Sequence, residues 1–276
     1  MTILDLQRMF NRALDHTFSR SKLLLTSAIL AMCGLLTVFF RGLAFHASEW
    51  VVMSLTFLPI FLCAGVLLSL GIILTRTYHH EIKYKESSLK HIFERSWEIV
   101  IGASYFCVPI ILCYLLMWVT FGVFLVLKEI PALGEPIGVV LSFGPFLLNL
   151  GSVLLCILNI AILFFVTPAV ALKSFDPISV SQIIARRLGG DIFSNMLLVL
   201  VAALPLAFVF GILSLAAVLT GSTYIEADTS LHVAMHWFFI MIPYTALASP
   251  AVVFFFNFAA EGHVHMRRAL QQEQVL

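Results

Sequence analysis

The sequence predicts an all-α membrane protein: six transmembrane helices arranged as three parallel repeats, each an interfacial amphipathic helix followed by a transmembrane hairpin. Three observations predict it. Of 276 residues, 61% are hydrophobic and only 11% charged, with mean hydropathy +1.03, whereas soluble domains carry about 25% charged residues. Six apolar runs are long enough to cross a hydrocarbon core, which takes roughly 20 helical residues. A short basic segment with one repeated apolar pattern stands before every second run. Too few charges are present to cover a water-facing surface of this size, so lipid must be the solvent for much of the exterior.

The runs are Leu23–Phe40, Val51–Leu74, Ile99–Leu127, Ile137–Leu172, Ile192–Thr220 and His232–Ala260. The first follows a segment too long and too mixed in charge for a secretory signal, and no A-x-A site follows it, so it reads as a retained anchor. The fourth is too long for one straight crossing and contains Gly138, Gly144-Pro145 and Gly151. It is expected as one long helix broken by a kink or tilt, rather than two short crossings. All five cysteines, Cys33, Cys63, Cys107, Cys113 and Cys156, lie inside apolar runs and read as packing residues.

Charge sets the orientation. Fourteen of the sixteen Lys and Arg residues lie in the N-terminal segment, the 75–98 and 173–191 loops and the C-terminal tail. Arg41 and Lys128 alone lie on the other side, beside Glu49, Glu129, Glu135, Glu226 and Asp228. The positive-inside rule therefore places both termini in the cytoplasm. Short loops and the lack of targeting signals make a bacterial inner membrane the expected location.

The repeat is carried by three segments: Leu6–Leu14, Leu89–Trp97 and Val180–Leu188. Apolar residues recur in each at i, i+3, i+4 and i+8, with arginine at i+6: Arg12, Arg95 and Arg186. That spacing gathers the apolar side chains on one helical face and sets the arginine opposite. Such a helix suits the cytoplasmic interface, apolar face in the acyl boundary and basic face toward anionic lipid phosphates. Arg8, Arg12, Lys90, Arg95, Arg186 and Arg187 are the candidate headgroup contacts. Ser87-Ser88 and Asp176-Pro177 are the expected caps of the second and third copies. The even-numbered runs also end alike, with Thr167-Pro168-Ala169-Val170 in the fourth and Ser249-Pro250-Ala251-Val252 in the sixth. One integral membrane domain over 1–276 thus divides into units of about 1–76, 77–173 and 174–260, with a cytoplasmic tail at 261–276. Units in one orientation imply an axis along the membrane normal.

This layout, with the repeated [ST]-P-A-V, resembles the six-helix membrane domain associated with some bacterial glycerophosphodiester phosphodiesterases, and the stand-alone YciC-like inner-membrane proteins. The resemblance covers nearly the whole chain. It implies a fold and little biochemistry, because no phosphodiesterase domain is present.

Chemistry is sparse. No Asp or Glu lies inside the core of any predicted span, where proton-coupled transporters and intramembrane aspartyl proteases keep one. No Walker A loop, G-x-S-x-G, H-E-x-x-H or dinucleotide fingerprint occurs, so no cofactor is expected and no nucleic acid. His232 and His236 share a helical face at the outer end of the sixth span, with Glu226 and Asp228 just before them. That set either binds a divalent metal or forms an ordinary amphipathic helix end among headgroups. Asn149, Asn159, Asn195 and Asn257 lie in predicted spans. They are either helix-to-helix hydrogen-bonding groups or the lining of a cavity between repeats.

Three functions follow. The first is a non-enzymatic lipid-binding or membrane-organising role, including the assembly of envelope proteins, with membrane lipids as partners. The second is a small transporter or channel subunit for a lipid or small solute. The third is a metal-dependent membrane enzyme acting at the outer face.

Overall fold

Backbone amides in hydrocarbon must be satisfied within their own segment, and the described apolar runs of this chain meet that demand with helices. The computed structural model describes residues 3–83, 92, 96, 98–102, 105–127, 130, 134–172, 182, 192–221 and 229–273. Among them, helix α1 (Ile3–Asp15) precedes α2 (Arg20–Leu43), α3 (Glu49–Ile82), α4 (Val108–Leu127), α5 (Gly134–Leu172), α6 (Ile192–Leu219) and α7 (Ser230–Glu273). No strand occurs among the described residues, and α2 to α7 are each long and apolar enough to span a membrane.

The six long helices form two classes. In their most apolar stretches, 56% of α3, 50% of α5 and 39% of α7 is buried, against 11%, 22% and 17% for α2, α4 and α6. The three returning helices therefore form the interior. They pack on one another, while α2 leans on α3 and α7, α4 on α3 and α5, and α6 on α7. The outer helices keep large apolar side chains exposed, Leu116 and Val119 on α4 and Leu200 and Phe208 on α6 among them. A surface of this kind is stable only in lipid.

Packing is tight at the end that carries both termini and looser at the other. From 163 to 171 every residue of α5 is buried, as is every residue from 251 to 263 of α7 and from 70 to 75 of α3. The main core collects Leu70, Ile72, Leu74, Phe164, Val166, Val170, Val253, Phe256 and Phe258 there. Both [ST]-P-A-V segments sit in that core. The opposite half holds a smaller cluster of Phe61, Ile110, Tyr114, Trp118 and Leu148.

Three details differ from the sequence reading or extend it. The 137–172 run is one helix, α5, as expected, and a Cβ at Gly144 or Gly151 would press on Phe121 or Met117 of α4, at 2.4 and 2.5 Å. The two glycines let α4 lie close, as small residues do between membrane helices. The helix α7 runs 44 residues to Glu273, through most of the stretch that the sequence assigned to a tail. Hydropathy falls there, but backbone hydrogen bonding continues.

The third concerns α1, whose apolar face was expected in the acyl boundary. Met9 and Ala13 are instead buried against the protein's own core, the Phe10 ring lies tilted against that of Phe254 of α7 with centroids 4.9 Å apart, and Asn257 donates to the Ala13 carbonyl at 3.3 Å. Burial against packed protein adds close-packed contacts that fluid acyl chains do not supply. Ile3, Leu4, Leu14 and Phe18 stay exposed on the remaining sides. In the second amphipathic segment, Ile92 and Ser96 occupy the places of Met9 and Ala13 and are likewise buried. Most other residues of the second and third segments, with their proposed caps, lie outside the described residues.

Candidate functional site

Helices longer than the roughly 20 residues needed to cross must project past the hydrocarbon, tilt, or both. At the terminal end, the last turns of α3 and the continuation of α7 meet α1 and the end of α5. Between them is a cleft of about 360 Å3, lined by Asp5, Arg8 and Arg12 of α1, Tyr78, His79 and Lys83 of the α3 end, and Glu261 and His265 of α7. Its floor is apolar, with Met9, Ile82, Leu172 and Ala260.

Glu261 organises the wall. Almost fully buried, it accepts the Tyr78 hydroxyl at 2.7 Å on one carboxylate oxygen and faces Arg12 Nη1 at 3.5 Å on the other. The Tyr78 ring is fixed in turn by His16, edge-on at 5.6 Å, and by Lys22 Nζ at 5.4 Å from its centroid. Lys22 itself is wholly buried, donating to Glu81 Oε2 and to the His16 carbonyl at 3.0 Å. His16 Nδ1 also lies 3.5 Å from that Glu81 oxygen. The network ties α1, α2, α3 and α7 at one level, and consumes the acid of Glu261. Arg8 and Lys83 are left at the rim with no ion pair among the described residues. Arg8, Arg12 and Lys83 thus share the cleft with two carboxylates, Asp5 and Glu261, each of which already has a partner.

A related clamp lies beside it. Arg76 Nε donates to the Ala171 carbonyl at 3.0 Å and Nη1 to Ser96 Oγ at 2.8 Å. The two bonds tie α3 to α5 and to the second amphipathic segment, with a cation at the carbonyl end of the described α5.

The Tyr78–Glu261 bond gives a direct expectation. Tyr78→Phe should lower stability by about 1–2 kcal/mol, because Glu261 loses a buried donor while Arg12 remains. Thermal unfolding in micelles reads this, and an unchanged midpoint would mean water already serves the carboxylate.

Of the residues the sequence singled out, the structure brings Arg8 and Arg12 into the cleft. Lys90, Arg95, Arg186 and Arg187 lie outside the described residues. Asn159, Asn195 and Asn257 are buried, but Asn149 is exposed on α5, 4.0 Å from Met53 Sδ. Asn257 bonds α1 as stated, and none of the four lines this cleft. His232 is exposed and His236 half-buried, with the His232 amide bonded to Thr229 Oγ1 at 3.3 Å at the start of α7. Glu226 and Asp228 lie outside the described residues, and among those described no three His, Cys, Asp or Glu side chains converge as metal ligands.

Lys22, Tyr78, Glu81 and Glu261 were missed. Each sits near the edge of an apolar run, where a lone polar residue reads as interface. Their side-chain partners lie 59 to 249 positions away in the chain, so no local spacing announces them. The one available signal is that Glu261 follows Asn257 by one turn on α7.

Six apolar helices with a lipid-exposed exterior define a polytopic, all-helical integral membrane protein. No protein-family model, curated protein or solved structure matches the chain.

Proposed function

We propose that this chain is a non-enzymatic lipid-binding protein of a bacterial inner membrane, with both termini cytoplasmic, that holds anionic headgroups at the cleft beside α1. The observation that carries the reading is the cleft itself: Arg8, Arg12 and Lys83 around a space of about 360 Å3 with an apolar floor, where the apolar helices give way to polar residues. Lipid phosphate suits that chemistry, since guanidinium groups bind it with paired donors and the apolar floor accepts the start of a chain. The internal threefold repeat belongs to the same reading. It is supported by the matching burial of Met9 with Ile92 and Ala13 with Ser96, and by the mutual packing of the three returning helices. Resemblance to the six-helix domain associated with phosphodiesterases rests on layout and on the two [ST]-P-A-V segments.

The test leaves the Glu261 network intact. In nanodiscs containing phosphatidylglycerol, Arg8→Gln/Lys83→Gln should weaken anionic-lipid retention about thirtyfold, from roughly 1 kcal/mol per basic residue near the surface. Binding should fall with salt, and zwitterionic lipid should be little affected. Retention that ignores both substitutions and salt would defeat the proposal.

A further inference from the structure

The looser half of the bundle contains a second space of different chemistry. Between α2, α3 and α7, with Phe210 of α6 at its edge, lies a crevice of about 450 Å3. Two of its polar groups are turned to their own helices: Thr37 Oγ1 donates to the Cys33 carbonyl at 3.1 Å and Thr245 Oγ1 to the Ile242 carbonyl at 2.9 Å. The Cys63 thiol faces the Cys33 carbonyl across the helix pair at 3.9 Å, and Trp237 and Tyr244 bring the other polar atoms of the lining. What remains toward the space is apolar, supplied by Leu30, Pro59, Ile60 and Met241 among others. The crevice exists because this half lacks the all-round burial found at the other end.

At its rim stands a cation. Gly34, Thr37 and Val38 of α2 line the crevice, and Arg41 follows at seven, four and three residues beyond them, on the same helical face. The Arg41 guanidinium carbon lies 4.9 Å from the ring centroid of Trp237, which itself lines the crevice. Arg41 makes no ion pair among the described residues. An apolar slot capped one turn further by an arginine stacked on tryptophan has the polarity profile of a phospholipid: chain inside, phosphate at the rim.

We infer that this crevice binds one phospholipid from the leaflet on that side, an acyl chain in the slot and the phosphate on Arg41. The cation at the rim, together with the small size of the space, favours a lipid over a helix from a second copy. One turn of helix, about 10–12 Å across with a 5.4 Å pitch, fills roughly 400–600 Å3, so the space takes barely one turn but accepts a thin, flexible chain. The site is separate from the cleft beside α1 and stands whether or not that cleft holds lipid.

The full chain released from nanodiscs of phosphatidylglycerol and phosphatidylethanolamine, weighed by native mass spectrometry, tests it. The Arg8→Gln/Lys83→Gln protein, whose cleft is weakened, should keep one phospholipid, and the unaltered protein should keep that lipid and a second one if the cleft holds lipid too. Arg41→Gln should weaken retention of the crevice lipid roughly tenfold, and Thr245→Phe, which fills the slot, should abolish it. Val119→Phe on the exposed side of α4, and Arg8→Gln/Lys83→Gln at the cleft, should leave this lipid in place. Loss of lipid from all variants alike, no lipid on the unaltered protein, or a dimer in its place would overturn the assignment. Should a variant fail to fold, a phospholipid carrying a photoactivatable group on its acyl chain serves on the unaltered protein. Adducts concentrated on residues 30–38 and 237–248 support the site, and adducts spread evenly over α4 and α6 refute it.

Discussion

Replacing Glu81 with leucine should destabilise the bundle by about 3 kcal/mol, the lower end of the cost of breaking a buried ion pair. The reason is Lys22, whose side chain is completely buried at the start of α2. Its ammonium has Glu81 Oε2 and the His16 carbonyl as acceptors, with the Tyr78 ring beside it. Remove the carboxylate and a cation remains with one neutral acceptor in an apolar environment. Glu81 is 29% exposed, so water reaches part of the pair, which is why the lower end applies. The reverse substitution, Lys22→Met, should cost less, about 1–2 kcal/mol. It leaves Glu81 partly hydrated and near His16.

The double variant separates a charge effect from a packing effect. With Lys22→Met and Glu81→Leu together, neither charge is stranded, and apolar side chains of similar size fill the volume. Exchanges of this kind are often close to neutral, so stability should return to within about 1 kcal/mol of the unaltered protein. Denaturant midpoints in micelles, read for all four proteins, complete the cycle. If the double variant is as unstable as the two single losses added together, the pair is not acting as a pair.

How much of this was legible follows from where the information lies. Leu23–Phe40, Val51–Leu74 and the other spans are local facts, written in composition; four reappear whole inside a helix, Ile192–Thr220 overruns α6 by one residue, and of Ile99–Leu127 the helix α4 takes Val108–Leu127. That α5 is one helix rather than two was also readable, because neither half of 137–172 could cross alone. Helix ends were less readable. Tyr78 to Ile82, and 261 to 273, continue helices after the apolar signal stops, since backbone hydrogen bonds do not require apolar side chains. The cleft was half legible: Arg12 stands out by periodicity and Arg8 by its basic neighbourhood, whereas Tyr78 and Glu261 depend on helices that meet only after folding. Asn149 shows the limit in the other direction. Its neighbour Leu148 is buried, and about 100° of helical rotation per residue carries Asn149 to the outer surface. Hydropathy places a residue in a span, but the facing helices decide which side is in.

Gly71→Ala should be the most damaging single methyl in the bundle, at about 2–3 kcal/mol, although alanine is the better helix former. A Cβ there would lie 2.3 Å from Cε1 and 2.7 Å from Cδ1 and Cζ of Phe256, in the tight half where α3 meets α7. Phe256 is 2% exposed within the main core, and a rigid ring enclosed on all sides has nowhere to move. Gly34→Ala offers the contrast. Its Cβ would lie closer still, 2.1 Å from Met241 Sδ, yet Met241 is unbranched and borders the open crevice. The thioether can turn aside, so the cost should stay below about 1 kcal/mol. Proximity alone would rank the two the other way; the freedom of the neighbour ranks them this way. Adding Phe256→Leu to Gly71→Ala should recover part of the loss by clearing the ring. Unfolding midpoints that place Gly34→Ala below Gly71→Ala would show that the two ends of the bundle do not differ in packing as described.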